Sequence, residues 1–116
     1  MSGPNFAYFM ECLDALENLL HAETQAIAAQ HLDTIDSIMK QKDACLKAVM
    51  ESKDLLKCNP RDHEIANTQI DFVINLQARN ANSFKKLKER IEVQKNNPLP
   101  AFQNVDSKLR STYLSR

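Results

Sequence analysis

Apolar residues recur at helical spacing through the first half of the chain, which has neither glycine nor proline between Asn5 and Asn59. Steps of three and four residues place these apolar residues near one stripe of a helix. The pattern predicts one long helix over residues 5–58. Such a helix would be roughly 80 Å long, a length that favours a break or curve around Ser52 to Asp54. The stripe consists of Leu13, Leu16, Leu20, Ile27, Ile35, Ile38, Cys45, Val49 and Leu56.

The segment Asn59-Pro60-Arg61-Asp62 carries the start signals of a second helix. Asparagine is a favoured N-cap, and proline suits the first helical position. Asp62 and Glu64 place carboxylates in the first turn, where the helix dipole is positive. Because Asn97-Pro98-Leu99-Pro100 stops a helix, we expect this one to cover residues 60–96. Its apolar stripe consists of Ile65, Phe72, Leu76, Leu87 and Ile91, flanked by Val73 and Phe84.

The short connection between the two helices predicts that they are antiparallel neighbours. The expected fold class is therefore all-α: a long, coiled-coil-like antiparallel hairpin over residues 5–96, with helices at about 5–58 and 60–96. Folding the chain at residues 59–60 places residue 40 near 79, residue 34 near 85 and residue 24 near 95. An ideal seam would be apolar throughout, and this one has polar positions, so a third helix, a second copy or a client should complete the core. The polar positions are Thr24, His31, Thr34 and Gln41 or Lys42.

The C-terminal segment, residues 97–116, has the pattern of an amphipathic helix. Its apolar residues follow one another at steps of three, three, four and four, which aligns them on one helical face. This pattern is typical of a helix that lies in a groove. The segment is either a third core helix docked on the hairpin or an arm that docks on a partner. We take the aligned residues as the candidate partner-binding site: Leu99, Phe102, Val105, Leu109 and Tyr113.

A net charge of zero conceals a strong division of charge along the chain. Residues 1–78 contain six basic and twelve acidic residues, whereas residues 79–116 contain nine basic and three acidic residues. In the expected hairpin the acidic part of the first helix lies beside the basic part of the second. Each exposed pair contributes only about 0–1 kcal/mol, but the pattern favours this pairing over a parallel dimer. We therefore interpret the charge division as internal complementarity.

The residues offer little for catalysis, and we expect no enzyme activity, no cofactor and no metal. The only glycine is Gly3, so a glycine-rich phosphate loop and a nucleophile elbow are both excluded. Glu17 and His21 are four residues apart and share a helix face, but a metal site in a bundle needs further Glu and His residues from other helices. The cysteines contain no CxxC pair and are expected to be structural or incidental: Cys12, Cys45 and Cys58.

Neither nucleic acid nor a membrane is an expected partner. A chain of pI about 6.8 lacks the basic excess that phosphate binding favours. The N-terminal apolar cluster has no nearby Lys or Arg to meet anionic lipid, so we interpret it as an end-plug of the bundle or a dimer contact. With no apolar run that suggests a membrane span and no secretory pattern, the expected location is the cytoplasm. The cluster consists of Phe6, Ala7, Tyr8, Phe9 and Met10.

The first predicted helix contains a series of apolar residues around one glutamate and one lysine: Leu19-Leu20, Glu23, Ala26-Ile27, Ile35, Ile38, Lys42, Cys45-Leu46 and Val49. This series resembles the first-helix pattern of FlgN-type flagellar export chaperones, which has a double leucine, a glutamate three residues later, an Ala-Leu pair and further leucines around a lysine. Asn80 and Asn82 ahead of Phe84 and Leu87 resemble the asparagine-bearing second helix of the family, and Tyr113 resembles its C-terminal tyrosine. The chain differs in having His31 where the family has an acidic residue, and it lacks a glycine after the tyrosine.

The resemblance implies an antiparallel helical protein that keeps hook-associated subunits of the flagellum soluble and unassembled. It also implies that client binding lies in the C-terminal region, on the residues from Leu99 to Tyr113. The expected function is therefore that of an export chaperone-like binding protein, present as a monomer or weak dimer. The alternative is a structural or adaptor coiled-coil protein that closes its unfilled stripe on a second copy of itself.

Overall fold

A computed structural model of the 116-residue chain describes the backbone of residues 3–96 and the side chains of residues 3–94. Helix α1 covers Pro4–Ala29, α2 covers Leu32–Asp54 and α3 covers Glu64–Asn96, with a 3₁₀ turn at Pro60–Asp62. The predicted all-α class is confirmed, and α1 and α2 pack against each other as a helical hairpin. The chain divides into two compact units, Met1–Asn82 and Ser83–Arg116. None of the described helices is long and apolar enough to cross a membrane.

The prediction of one continuous helix over residues 5–58 is wrong, because the chain reverses at Gln30. Gln30 adopts a left-handed conformation with φ 60°. Its amide donates to the carbonyl of Ile27 at 3.0 Å, and the amide of His31 donates to the carbonyl of Ala26 at 3.0 Å. This pair of bonds is a Schellman motif, which ends a helix by satisfying carbonyls that lack helical partners. Where a break or curve within the helix was expected, around Ser52 to Asp54, α2 instead ends at Asp54, and residues 55–58 are not helical.

The connection from α2 to α3 is built on the predicted Asn59-Pro60 corner. The side chain of Asn59 accepts a hydrogen bond from the amide of Arg61 at 2.9 Å, with Pro60 in the first position of the turn. Asn59 therefore caps the 3₁₀ turn, and the α-helix itself begins only at Glu64. His63 precedes that helix, and its ring lies 4.8 Å from the ring of Phe6, between centroids. The N-terminal cluster thus covers this end of the bundle.

The core of the unit Met1–Asn82 is formed by all three helices. Most of the predicted first-helix stripe is buried, which confirms its pattern on both sides of the break. Phe9 and Leu20 are among the most deeply buried side chains of the core. Because the core side chains come from all three helices, their burial stabilises the packing of the helices against one another. The main cluster consists of Phe9, Cys12, Leu13, Leu16, Leu20, Val49, Val73 and Leu76, with Met10, Cys45, Ala48, Leu56 and Ile70 packed against it.

Hydrogen bonds between the helices give their register. Lys42 on α2 contacts Gln77 on α3 at 2.9 Å, which agrees with the predicted antiparallel pairing of residue 40 with residue 79. Thr24 on α1, however, is bonded to Asn80, so the predicted placement of residue 24 near 95 is wrong. Because α1 folds back at Gln30, it runs parallel to the first part of α3. The predicted charge pairing, which depended on placing residue 24 near residue 95, is therefore wrong as well.

Leu76 and Leu87, two of the five residues of the predicted α3 stripe, are buried, but near the start of the helix the buried face is shifted by one residue. Ile65 and Phe72 were expected on the core stripe but are 68% and 48% exposed. Val73, expected only to flank the stripe, is buried together with Leu76. Within the unit Met1–Asn82, three of the four buried positions of α3 lie seven residues apart, a spacing that keeps one face of a helix directed at its neighbours. They are Ala66, Val73 and Asn80, and Leu76 is the fourth.

In the second unit, Ser83–Arg116, the described residues belong to the last part of α3. Leu87 is buried, and the ammonium of Lys88 lies 5.5 Å from the centroid of the Phe84 ring. Val93 is exposed. The predicted amphipathic helix over residues 97–116 lies outside the described residues.

Candidate functional site

An apolar groove runs between α2 and α3, with α1 as its floor. Two cavities of about 340 and 420 Å³ make up the groove, and each is within the size range of ligand pockets. They form one continuous depression because both are lined by the same four side chains, from all three helices. The shared residues are Leu16, Leu46, Val73 and Ile74.

The walls of this α2–α3 groove present large apolar side chains to solvent. Leu46 and Met50 on α2 are 50% and 52% exposed, and Ile74 on α3 is 52% exposed. Single exposed apolar residues are ordinary on protein surfaces. Here, however, three of them line one concave surface above a buried floor, and contiguous apolar surfaces of this kind are typical of interaction sites.

Charged side chains stand at the two ends of the groove. Lys53 and Arg61 line the end near the Asn59-Pro60 corner, where Arg61 pairs with Asp71. Lys42 and Asp43 line the opposite end. The groove is therefore apolar along its length and polar at each end.

A buried polar network joins all three helices beside the Lys42 end of the groove. The carboxylate of Glu23 lies 3.0 and 2.9 Å from the ammonium of Lys42, and its side chain is only 2% exposed. The same ammonium donates to Oε1 of Gln77 at 2.9 Å, which ties α2 to α3. Burying the carboxylate without such a partner would carry a large desolvation cost. Lys42 therefore supports the core and lines the groove at the same time.

Asn80 connects this ion pair to the backbone of α1. Its amide nitrogen donates to the carbonyl of Leu20 at 2.9 Å and to the carboxylate of Glu23 at 3.0 Å. Its amide oxygen accepts from the hydroxyl of Thr24 at 2.8 Å. Throughout the described part of the chain, every buried side-chain nitrogen and oxygen has a hydrogen-bond partner. A polar group satisfied in this way at one seam position specifies the helix register.

The polar residues that the sequence predicted in the seam differ in where they lie: two are in the buried network and three are exposed. Thr24 and Lys42 belong to the buried network. His31 lies at the helix break and is exposed, as are Thr34 and Gln41. The alternative of Gln41 or Lys42 is thus resolved in favour of Lys42 as the seam residue.

Glu17 and His21, weighed above as a metal pair, are hydrogen-bonded to each other at 3.3 Å. Gln69 donates to the carboxylates of both Asp14 and Glu17, so these acidic groups have polar partners within the bundle. Within residues 3–96, no group of three or more His, Cys, Asp or Glu residues is placed to hold a metal ion. Of the cysteines, Cys12 is buried, Cys45 is half-buried and Cys58 is exposed.

The predicted partner-binding residues, from Leu99 to Tyr113, lie outside the described residues. The groove residues Met50 and Ile74 were missed by sequence reasoning, and Leu46 entered only through the family resemblance. A signal for them does exist, because each follows a residue of the core directly. The pairs Cys45-Leu46, Val49-Met50 and Val73-Ile74 make the apolar surface wider than a single seam requires.

No protein-family model, no curated protein and no solved structure matches this chain.

Proposed function

We propose that this chain is an export chaperone-like binding protein that holds an amphipathic helix of a client protein in the α2–α3 groove. The observation that carries the proposal is the open groove itself: Leu46, Met50 and Ile74 stand half exposed above a buried apolar floor. A client helix would cover these side chains with its own apolar stripe and so be kept from assembling elsewhere. This is helix-in-groove recognition, which needs neither cofactor nor turnover.

The groove offers enough apolar surface for useful affinity. Fully burying a Leu, Ile or Met side chain is worth about 1.5–3 kcal/mol. Since the three wall residues are already half buried, covering them contributes about 2–4 kcal/mol, to which the client's own anchors add. Ordering and association costs reduce this sum, so the expected complex is reversible.

The resemblance to FlgN-type chaperones supplies the identity of the proposed client, a hook-associated subunit of the flagellum. The resemblance implies that client binding lies on the C-terminal residues Leu99, Phe102, Val105, Leu109 and Tyr113. The proposal therefore has two binding elements, the groove and the C-terminal segment, and each predicts its own variant phenotype.

The test measures binding of a purified hook-associated subunit to the full-length chain by titration calorimetry. A double variant, Leu46→Ser with Met50→Ser, should weaken binding about tenfold or more while the helical content is retained. Ile65→Ser is the matched control, because Ile65 is an exposed apolar residue of α3 that lines a different cavity. A second full-length variant, Phe102→Ser with Leu109→Ser, tests the C-terminal segment.

Equal binding by the groove variant and the control would show that the groove is not the client site. Sedimentation velocity tests the alternative of a self-associating coiled-coil protein. A tight dimer of the parent chain that the groove variant converts to a monomer would contradict a client-holding role, because a second copy would then fill the groove.

A further inference from the structure

The two ends of the α2–α3 groove carry opposite charge. At the end near the Asn59-Pro60 corner, Lys53 and Arg61 line the groove, and Arg61 is paired with the carboxylate of Asp71. At the other end, Glu23 neutralises Lys42, which leaves the carboxylate of Asp43. The balance is therefore about one positive charge at the first end and one negative charge at the second.

The two charges that produce this polarity are accessible to an occupant. Lys53 and Asp43 are both exposed, and neither has an ion-pair partner among residues 3–96. They lie on the same helix, ten residues apart, which corresponds to about 15 Å. A helix of about ten residues, or roughly three turns, spans the same distance.

We infer that the groove is built for a short amphipathic helix with separated charges, acidic at the end over Lys53 and Arg61 and basic at the end over Asp43. This inference rests on the proposed function, and it adds the length, charge pattern and orientation of the helix. Helices ordinarily carry acidic residues in their first turn and basic residues in their last, because this arrangement complements the helix dipole. The bound helix therefore begins at the Lys53 end and runs antiparallel to α2.

The exposed thiol of Cys58 gives a direct measurement of this orientation. Cys58 precedes Asn59, Pro60 and Arg61, which line the basic end of the groove. Because Cys12 is buried, the single substitution Cys45→Ala leaves Cys58 as the accessible thiol among the cysteines. A quencher is attached to Cys58 in this variant. The probes are synthetic amphipathic peptides of about three turns, with leucines on one face, an acidic first turn and a basic last turn. One peptide carries a dye at its acidic end, and the other carries it at its basic end.

We expect the dye at the acidic end to be quenched more strongly than the dye at the basic end. We also expect Lys53→Glu to weaken binding of the charge-separated peptide by about two- to fivefold at low salt, and high salt to remove this difference. A peptide of the same composition with its charges mixed along its length should not respond to Lys53→Glu. Lys47→Glu is the matched control, since Lys47 is an exposed lysine of α2 that does not line the groove.

The outcomes separate this inference from the proposed function. Binding with equal quenching of both dyes, or equal effects of Lys53→Glu and Lys47→Glu, overturns the charge polarity and leaves the groove as a helix site. Absence of binding by every peptide, or binding that the Leu46→Ser and Met50→Ser double variant does not weaken, overturns the groove as a helix site and the inference with it.

Discussion

Replacing Lys42 by methionine should destabilise the protein more than replacing Glu23 by glutamine, although both changes break the same ion pair. The reason is that the two side chains are unequally buried: the side chain of Lys42 is 14% exposed, and that of Glu23 is 2% exposed. Without Lys42, a carboxylate stays inside the bundle with no cation beside it. Without the charge of Glu23, the ammonium is near the surface on a flexible stem and reaches water.

The expected magnitudes follow from these contacts. Removing one partner of a buried ion pair costs about 3–5 kcal/mol. Asn80 still donates to the Glu23 carboxylate in the Lys42→Met variant, so we expect a loss near the lower end, about 3 kcal/mol. In Glu23→Gln the new amide oxygen still accepts hydrogen bonds, and the expected loss is about 1–2 kcal/mol.

Removing both charges should restore most of the stability. In the double variant, Glu23→Leu with Lys42→Met, no buried charge remains, and Asn80 keeps its bonds to the Leu20 carbonyl and the Thr24 hydroxyl. Replacing a buried ion pair by apolar residues is often neutral or stabilising. We expect the double variant to lie within about 1 kcal/mol of the parent chain.

The assay is urea denaturation followed by circular dichroism, with the slope of the transition checked for constancy across the variants. Glu23→Leu is measured alone as well, to complete the cycle, and strictly additive losses in the double variant would show that the two side chains are not coupled. A smaller loss for Lys42→Met than for Glu23→Gln would refute the reasoning from burial.

Three further predictions concern the helix ends and the N-terminal residues. Gln30→Gly should raise the free energy of unfolding, measured by urea denaturation, by about 1 kcal/mol, because glycine adopts the left-handed conformation without a steric cost. Ala22→Gly, at an exposed position in the interior of α1, should lower it by about the same amount. Asn59→Ala should cost about 1 kcal/mol in the same assay, because it removes the cap of the 3₁₀ turn. A hydrogen bond with the thiol of Cys12 raises the pKa of Tyr8 above 10.0, so Cys12→Ala should lower it toward that value in an ultraviolet absorbance titration. Since folding favours the protonated phenol, its contribution to stability is present at neutral pH and is lost as the pH rises through the raised pKa.

The positions of the core on α1 and α2 could be predicted from apolar periodicity alone, but the reversal between them was missed. The chain turns at a glutamine, and sequence reasoning relied on glycine and proline as the marks of a turn. A phase change in the stripe marks the same place. If the helix continued unbroken, the next position on the buried face after Ile27 would lie seven residues later, at Thr34. The buried residue is instead Ile35, eight residues later. From there onward, the stripe of α2 is displaced by one residue from that of α1.

The face of α3 was misjudged for a related reason. Ile65 and Phe72 are large and apolar, so periodicity favoured them over Ala66 and Asn80 as core positions. The true seam includes a small residue and a polar one, whose burial depends on contacts that only the folded chain provides. Asn80 is buried because Glu23, Thr24 and the Leu20 carbonyl satisfy its amide. No local pattern in the sequence shows those partners.

The groove and the polar network are best understood together. A protein with an open apolar groove has to be stable without an occupant, and here the floor is sealed by a well-packed core that includes Phe9 and Leu20. The network then fixes the register of α2 against α3 through the Lys42–Gln77 bond, so the groove does not depend on an occupant for its shape. In the proposed complex, the exposed parts of Leu46 and Met50 contribute mainly to binding, whereas the buried side chains beneath them contribute mainly to stability. Substituting Leu46 and Met50 should weaken binding at little cost in stability, whereas Leu20→Ala in the floor of the groove should lower the free energy of unfolding by about 2–5 kcal/mol.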